Sequence, residues 1–132
     1  MIGAAALVCL AQAIYYEARG EPVLGQYAVA EVVMNRVDDP AFPDTVCAVT
    51  ADDRGPQDHD CQFSYMCDGK PENMRDPVAR RQALRIAYIV GSRVTNITGG
   101  ALFFHARGIR PYWATKFTPA YVVGNHLFYT VD

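Results

Sequence analysis

An α+β fold, mostly helical with a small antiparallel sheet near the C-terminus, is what this chain of 132 residues predicts. Three observations carry that reading. Apolar residues recur at helical spacing through the first forty residues and again from about residue 76 to 92. The last third turns to β-branched and aromatic runs cut by glycines. Between them lies a proline-bearing stretch with neither period. The length suits one domain able to bury a core, so residues 1–132 are read as a single unit.

The first helix is placed from about Ala4 to Arg19, with Gly20 and Pro22 marking its end. Its run "AAALVCLAQAIYY" carries no charge. It has no basic flank and is too short to cross a bilayer, so it is read as a core helix, with no membrane insertion and no recognisable signal peptide. The second helix starts near Pro22 and continues "VLGQYAVAEVVMNRV". Ala28, Val29, Val32, Val33 and Val37 form its buried stripe, while Gln26, Glu31 and Asn35 are expected to point elsewhere. Residues Asp38 to Arg75 read as a long irregular segment, of the kind that forms a wall or lid. The third helix is "RDPVARRQALRIAYIVGS": Asp76 is its N-cap, Pro77 its first residue, and Gly91 lies near its end. "GGALFFHA" and "AYVVGNHLFYT" read as two antiparallel strands joined by "RGIRPYWATKFTP".

Composition excludes some functions. A net charge of −2 with no long run of like charge argues against nucleic acid as a partner. Of the four cysteines, Cys9 reads as a reduced, buried small hydrophobe. Two of Cys47, Cys61 and Cys67 are expected to pair, which suits an oxidising compartment, and spacing does not choose the pair. Zinc held by these cysteines and His59 is a weak alternative, because C-x5-C is not a usual zinc spacing. The acidic stretch Asp52, Asp53, Asp58 and Asp60 lacks the order of an EF-hand loop. Neither a metal nor a cofactor is expected.

The chemistry concentrates in "AIYYEARGE". Glu17 closes an apolar helix, where the dipole and desolvation both disfavour a carboxylate. A carboxyl so placed has a raised pKa, as a general acid working near neutrality requires. The competing explanation is an ion pair with Arg19 or Arg36. Glu21, beyond Gly20, reads as a charge complementing the start of the second helix. His105 and His126 sit on the strands beside aromatics, in "FFHA" and "GNHLFY", where structural hydrogen bonding is the more ordinary role. Tyr112, Trp113 and Phe117 crowd the joining loop, as rings that stack on sugars or plug a core do.

These stretches together resemble the spore-cortex-lytic, SleB/CwlJ-type cell wall hydrolases over nearly the whole chain. "LAQAIYYEARGEPVLGQYAVAEVVMNRV" resembles the family's opening motif, "CQFSYMCDGKP" its cysteine-bearing QFS block, and "GALFFHA" and "VVGNHLFY" its closing blocks. The resemblance implies a lysozyme-like fold and makes Glu17 the catalytic residue. It places Gln62, Phe63 and Ser64 in the groove, and His105, Trp113, Asn125 and His126 as substrate contacts or their supports. It implies cleavage of the bond between N-acetylmuramic acid and N-acetylglucosamine in peptidoglycan strands by lytic transglycosylation. Lysozyme-type hydrolysis, a Cys/His amidase and a non-catalytic glycan-binding module are the rivals. The expected setting is a monomer in the periplasm or cell envelope, or a phage product delivered to the wall. With so little net charge, wall recognition is expected to come from a shaped cleft.

Overall fold

The computed structural model describes residues 2–53 and 61–131. Among these residues, four α-helices precede a three-stranded sheet, as the α+β reading expects: α1 (Ala4–Ala18), α2 (Val23–Val37), α3 (Val46–Thr50), α4 (Pro77–Ser92), β1 (Phe103–Ala106), β2 (Thr118–Val123) and β3 (His126–Thr130). Helix α1 stops because Gly20 adopts φ +87°, a left-handed conformation, and the Glu21 amide turns back to the Ala18 carbonyl at 2.9 Å. Helix α4 starts where expected. The Asp76 carboxylate accepts from the amides of Val78 (3.0 Å) and Ala79 (3.2 Å), and Pro77 follows it.

Two apolar clusters hold the elements together. Leu10, Ile14, Val33, Val49, Phe63 and Ile86 anchor the larger one among the helices and the QFS block. Ala18, Val29, Val32, Ala101 and Phe128 form the second, which seats the sheet on α1 and α2. Phe104 packs against both, so the sheet is keyed to the helices on either side of the α1 C-terminus.

Three expectations about the architecture are corrected. The segment from residue 38 to 75 is not wholly irregular, because Thr45 caps the short helix α3 by accepting from the Ala48 amide. Five residues are too few for a hydrophobic period to declare itself. The final run "AYVVGNHLFYT" is a hairpin and not one strand. Gly124 and Asn125 turn it, β3 lies central in the order β1-β3-β2, and both pairings are antiparallel. Gly124 is required there: at φ +56°, an added Cβ would stand 2.5 Å from the Glu21 carboxylate and 2.7 Å from Pro22. Finally, Cys9 is bonded to Cys47, and Cys61 to Cys67. Helix α1 packs on α3, which brings Cys9 to a cysteine 38 residues away.

Candidate active site

Glu17 occupies the last turn of α1 and lines a cleft of about 330 Å³. The Cys61–Ser64 stretch forms one side, with Phe103, Phe104 and His105 of β1, His126 of β3, Trp113 and Arg36 around it. Burial raises the Glu17 carboxyl from 4.5 to about 7. The two arginines weighed as its ion-pair partners are engaged elsewhere. Arg19 donates to the Tyr15 hydroxyl and lies over that ring at 4.4 Å. Arg36 donates through Nε to the Leu102 carbonyl at 2.8 Å and lies over the rings of Phe42 and Phe103.

The Cys61–Cys67 bond brackets Gln62, Phe63 and Ser64 and closes their loop over six residues. Phe63 is buried against Phe104 and Tyr65, whereas Gln62 and Ser64 stay exposed toward the cleft. The Gln62 amide donates to the Asp52 carbonyl at 2.9 Å, tying this wall to the end of α3. Tyr65 follows directly and escaped the sequence reading, since nothing distinguishes it from a core aromatic. Its buried ring stacks on Tyr16 with centroids 5.0 Å apart. Burial first, and the nearby Glu17 next, push its hydroxyl well above the ordinary tyrosine range, so the phenol keeps its proton.

The two strand histidines differ. His105 has both ring nitrogens engaged: Nδ1–H donates to the Ala106 carbonyl at 2.8 Å, and Nε2 lies 2.8 Å from the Tyr129 hydroxyl. Its neighbour Trp113 packs edge-on to that imidazole and to Tyr129, so this wall is braced by rings. His126 is buried, with Phe104 edge-on at 5.2 Å and Nδ1 4.0 Å from Glu21 Oε1. Desolvation lowers its pKa, His105 adds to that, and Glu21 opposes it.

Asn125 stands apart from this group. It sits at the β2–β3 turn, outside the residues lining the Glu17 cleft, and its amide donates to Glu21 Oε1 at 2.7 Å. Glu21 therefore clamps the hairpin turn to the α1–α2 corner. It does not cap α2, which lacks any side-chain cap at its start. Glu31 also departs from expectation. Only 1% exposed, its carboxylate accepts from the Thr95 hydroxyl (2.6 Å), the Ile97 amide (2.8 Å), and the amide (2.8 Å) and hydroxyl (2.5 Å) of Thr98. Metal chemistry finds little support in the cysteines. Cys61 and Cys67 lie with Asp53 in a cluster, but their bond consumes the thiolates that zinc would need. His59, Asp58 and Asp60 lie outside the described residues.

The cell wall hydrolase family matches residues 20–129, most of the chain. This chain belongs to that family. A spore cortex-lytic enzyme of Bacillus cereus is 32% identical over 120 residues, covering 90% of this chain and 42% of the relative. One from Halalkalibacterium halodurans is 43% identical over 75 residues, covering 57% of this chain and 21% of the relative. The hydrolase chain thus spans less than half the length of the curated relatives it matches. Among solved structures, the catalytic domain of the germination-specific lytic transglycosylase SleB from Bacillus anthracis superposes with a TM-score of 0.73 at 30% identity. It covers 98% of this chain and 97% of that one. The catalytic domain of the Bacillus cereus SleB protein gives 0.75 at 28% identity, over 98% and 93%. These structural matches include α1 and hence Glu17, which lies just before the span of the family match.

Proposed function

We propose that this cell wall hydrolase cleaves peptidoglycan strands between N-acetylmuramic acid and N-acetylglucosamine as a lytic transglycosylase, with Glu17 as its catalytic residue. One observation carries the reading: among the described residues lining the cleft, Glu17 is the only carboxyl, and burial holds it protonated up to about pH 7. Most glycosidases need two carboxylates flanking the scissile bond. A single one suffices if it works twice. Protonated Glu17 gives its proton to the glycosidic oxygen as the bond from C1 breaks. The resulting carboxylate then takes the proton of the C6 hydroxyl while O6 closes on C1. The product is a 1,6-anhydro ring, no water is consumed, and Glu17 is protonated again.

Each wall of the cleft has a place in this scheme. Gln62 and Ser64 offer polar groups to the sugar, and Trp113 offers a flat face. Tyr65 supports the wall from behind, His105 stands in it held by Tyr129, and His126 keeps the lining near Glu17 uncharged. The Cys/His amidase rival loses its nucleophile, because all four cysteines are in disulfides. The site of action follows from the substrate and is the cell envelope.

The test is purified peptidoglycan digested with this chain and its soluble products weighed. Transglycosylation yields muropeptides lighter by one water than their hydrolytic counterparts. Products carrying that water instead make the enzyme a lysozyme-type hydrolase, and no soluble product overturns the glycosidase reading.

A further inference from the structure

The net charge of −2 conceals an uneven distribution. Two recesses, of about 390 and 450 Å³, meet at Arg19 at the end of α1, away from the Glu17 cleft. Lys70 and Arg75 line the first with Arg19, and Arg81 and Arg85 line the second with it. Among the described residues, none of these five cations is ion-paired with a carboxylate. The single acid lining either recess, Asp76, is turned onto the amides of its own helix.

Arg81 and Arg85 stand four apart on one face of α4, a like-charge spacing that is unfavourable without an anion between them. The positive end of α4 opens into the same recess and adds to the field. Both arginines are exposed and contribute little to the core, so folding does not account for the arrangement. A bound carboxylate does, because guanidinium forks match it in a bidentate fashion.

We propose that this cationic double recess binds the free carboxylates of peptidoglycan stem peptides while the glycan strand lies in the Glu17 cleft. This rests on the glycosidase reading above, whose substrate carries such stems. Arg19, where the recesses meet, caps the same helix end that carries Glu17 two residues earlier, and four extended residues span up to about 14 Å. Tyr15 and Tyr16 give the first recess an apolar wall for the aliphatic parts of a stem. Tyr16 also stacks on Tyr65, whose hydroxyl feels the Glu17 charge.

The experiment measures binding and not cleavage, so it can fail separately from the glycosidase reading. In an inactive Glu17→Gln background, the chain with and without Arg81→Gln and Arg85→Gln is co-sedimented with two insoluble substrates. One is peptidoglycan freed of phosphate polymers, and the other is the same material stripped of stems by an amidase, with the lactyl carboxylates this exposes capped as amides. Losing two charge-assisted contacts weakens binding to the intact material about tenfold, and added salt erases the difference. On stripped strands the two proteins bind alike. Equal binding to intact material, or an equal loss on both materials, overturns the proposal. Unchanged circular dichroism confirms that the exposed substitutions leave the fold in place.

Discussion

Glu17 and Glu31 sit on adjoining helices, α1 and α2, and start from the same carboxyl chemistry. Glu31 is the more buried, yet its pKa is lowered, because four donors from residues 95–98 outweigh the desolvation of its charge. Glu17 has its pKa raised to about 7, with burial the sole cause. Burial alone therefore does not make an acid; burial without compensating donors does. Glu31 holds the 95–98 segment to α2 just ahead of β1, and Glu17 holds a proton at the edge of a cleft. The environment holds one carboxyl protonated and the other ionised.

The contrast can be broken most sharply at Glu17. Replacing it with Gln preserves shape but removes the transferable proton, so peptidoglycan turnover should fall by about 10²–10⁴-fold. Its folded pKa lies above the unfolded 4.5, so its stabilising contribution is complete below pH 4.5 and lost as pH rises through 7. Glu17→Gln should consequently gain in melting temperature over the wild type at pH 8 and show little gain at pH 4. Activity of the wild type should decline above pH 7, as the acid form is depleted.

Glu31 should behave in the opposite way. Glu31→Ala strands four buried or partly buried donors and should cost roughly 3–5 kcal/mol in a denaturant titration. Its depressed pKa places that contribution above pH 4.5 and removes it as pH falls, so the gap from wild type should narrow in acid. Breaking Cys9–Cys47 by a double Ala substitution comes next. A closed loop of 38 residues implies a loss of about 4 kcal/mol from chain entropy. The smallest effect is expected at Glu21. Because its charge opposes the lowering of the His126 pKa, Glu21→Gln should drop that imidazole further, as followed by its ring-proton resonances against pH.

The raised pKa of Glu17 was legible in the sequence because a lone carboxyl ending a charge-free helix violates an ordinary preference. So were α1, α2 and α4, whose caps and spacing are local. The role of Glu31 was not legible, because a helical period can say only that it departs from the apolar stripe, and not that a loop 64 residues later folds back onto it. Cys9 was misread for the same reason, as its partner is set by the packing of α1 on α3. The hairpin was misread as one strand because the residues on both sides of Gly124 and Asn125 share the same β-branched and aromatic character. The cationic recess was invisible to a net-charge argument, since Arg19 and the α4 arginines meet only once α1 and α4 pack.

Burial keeps Glu17 protonated to near neutrality, while donors keep Glu31 ionised. Carbon-detected NMR of the glutamate side-chain carboxyls, titrated from pH 3 to 9, measures both in one sample, with Glu17→Gln assigning its resonance. A Glu17 midpoint near 7 and a Glu31 midpoint below 4.5 are expected. A Glu17 carboxyl that titrates at or below 4.5 would contradict this.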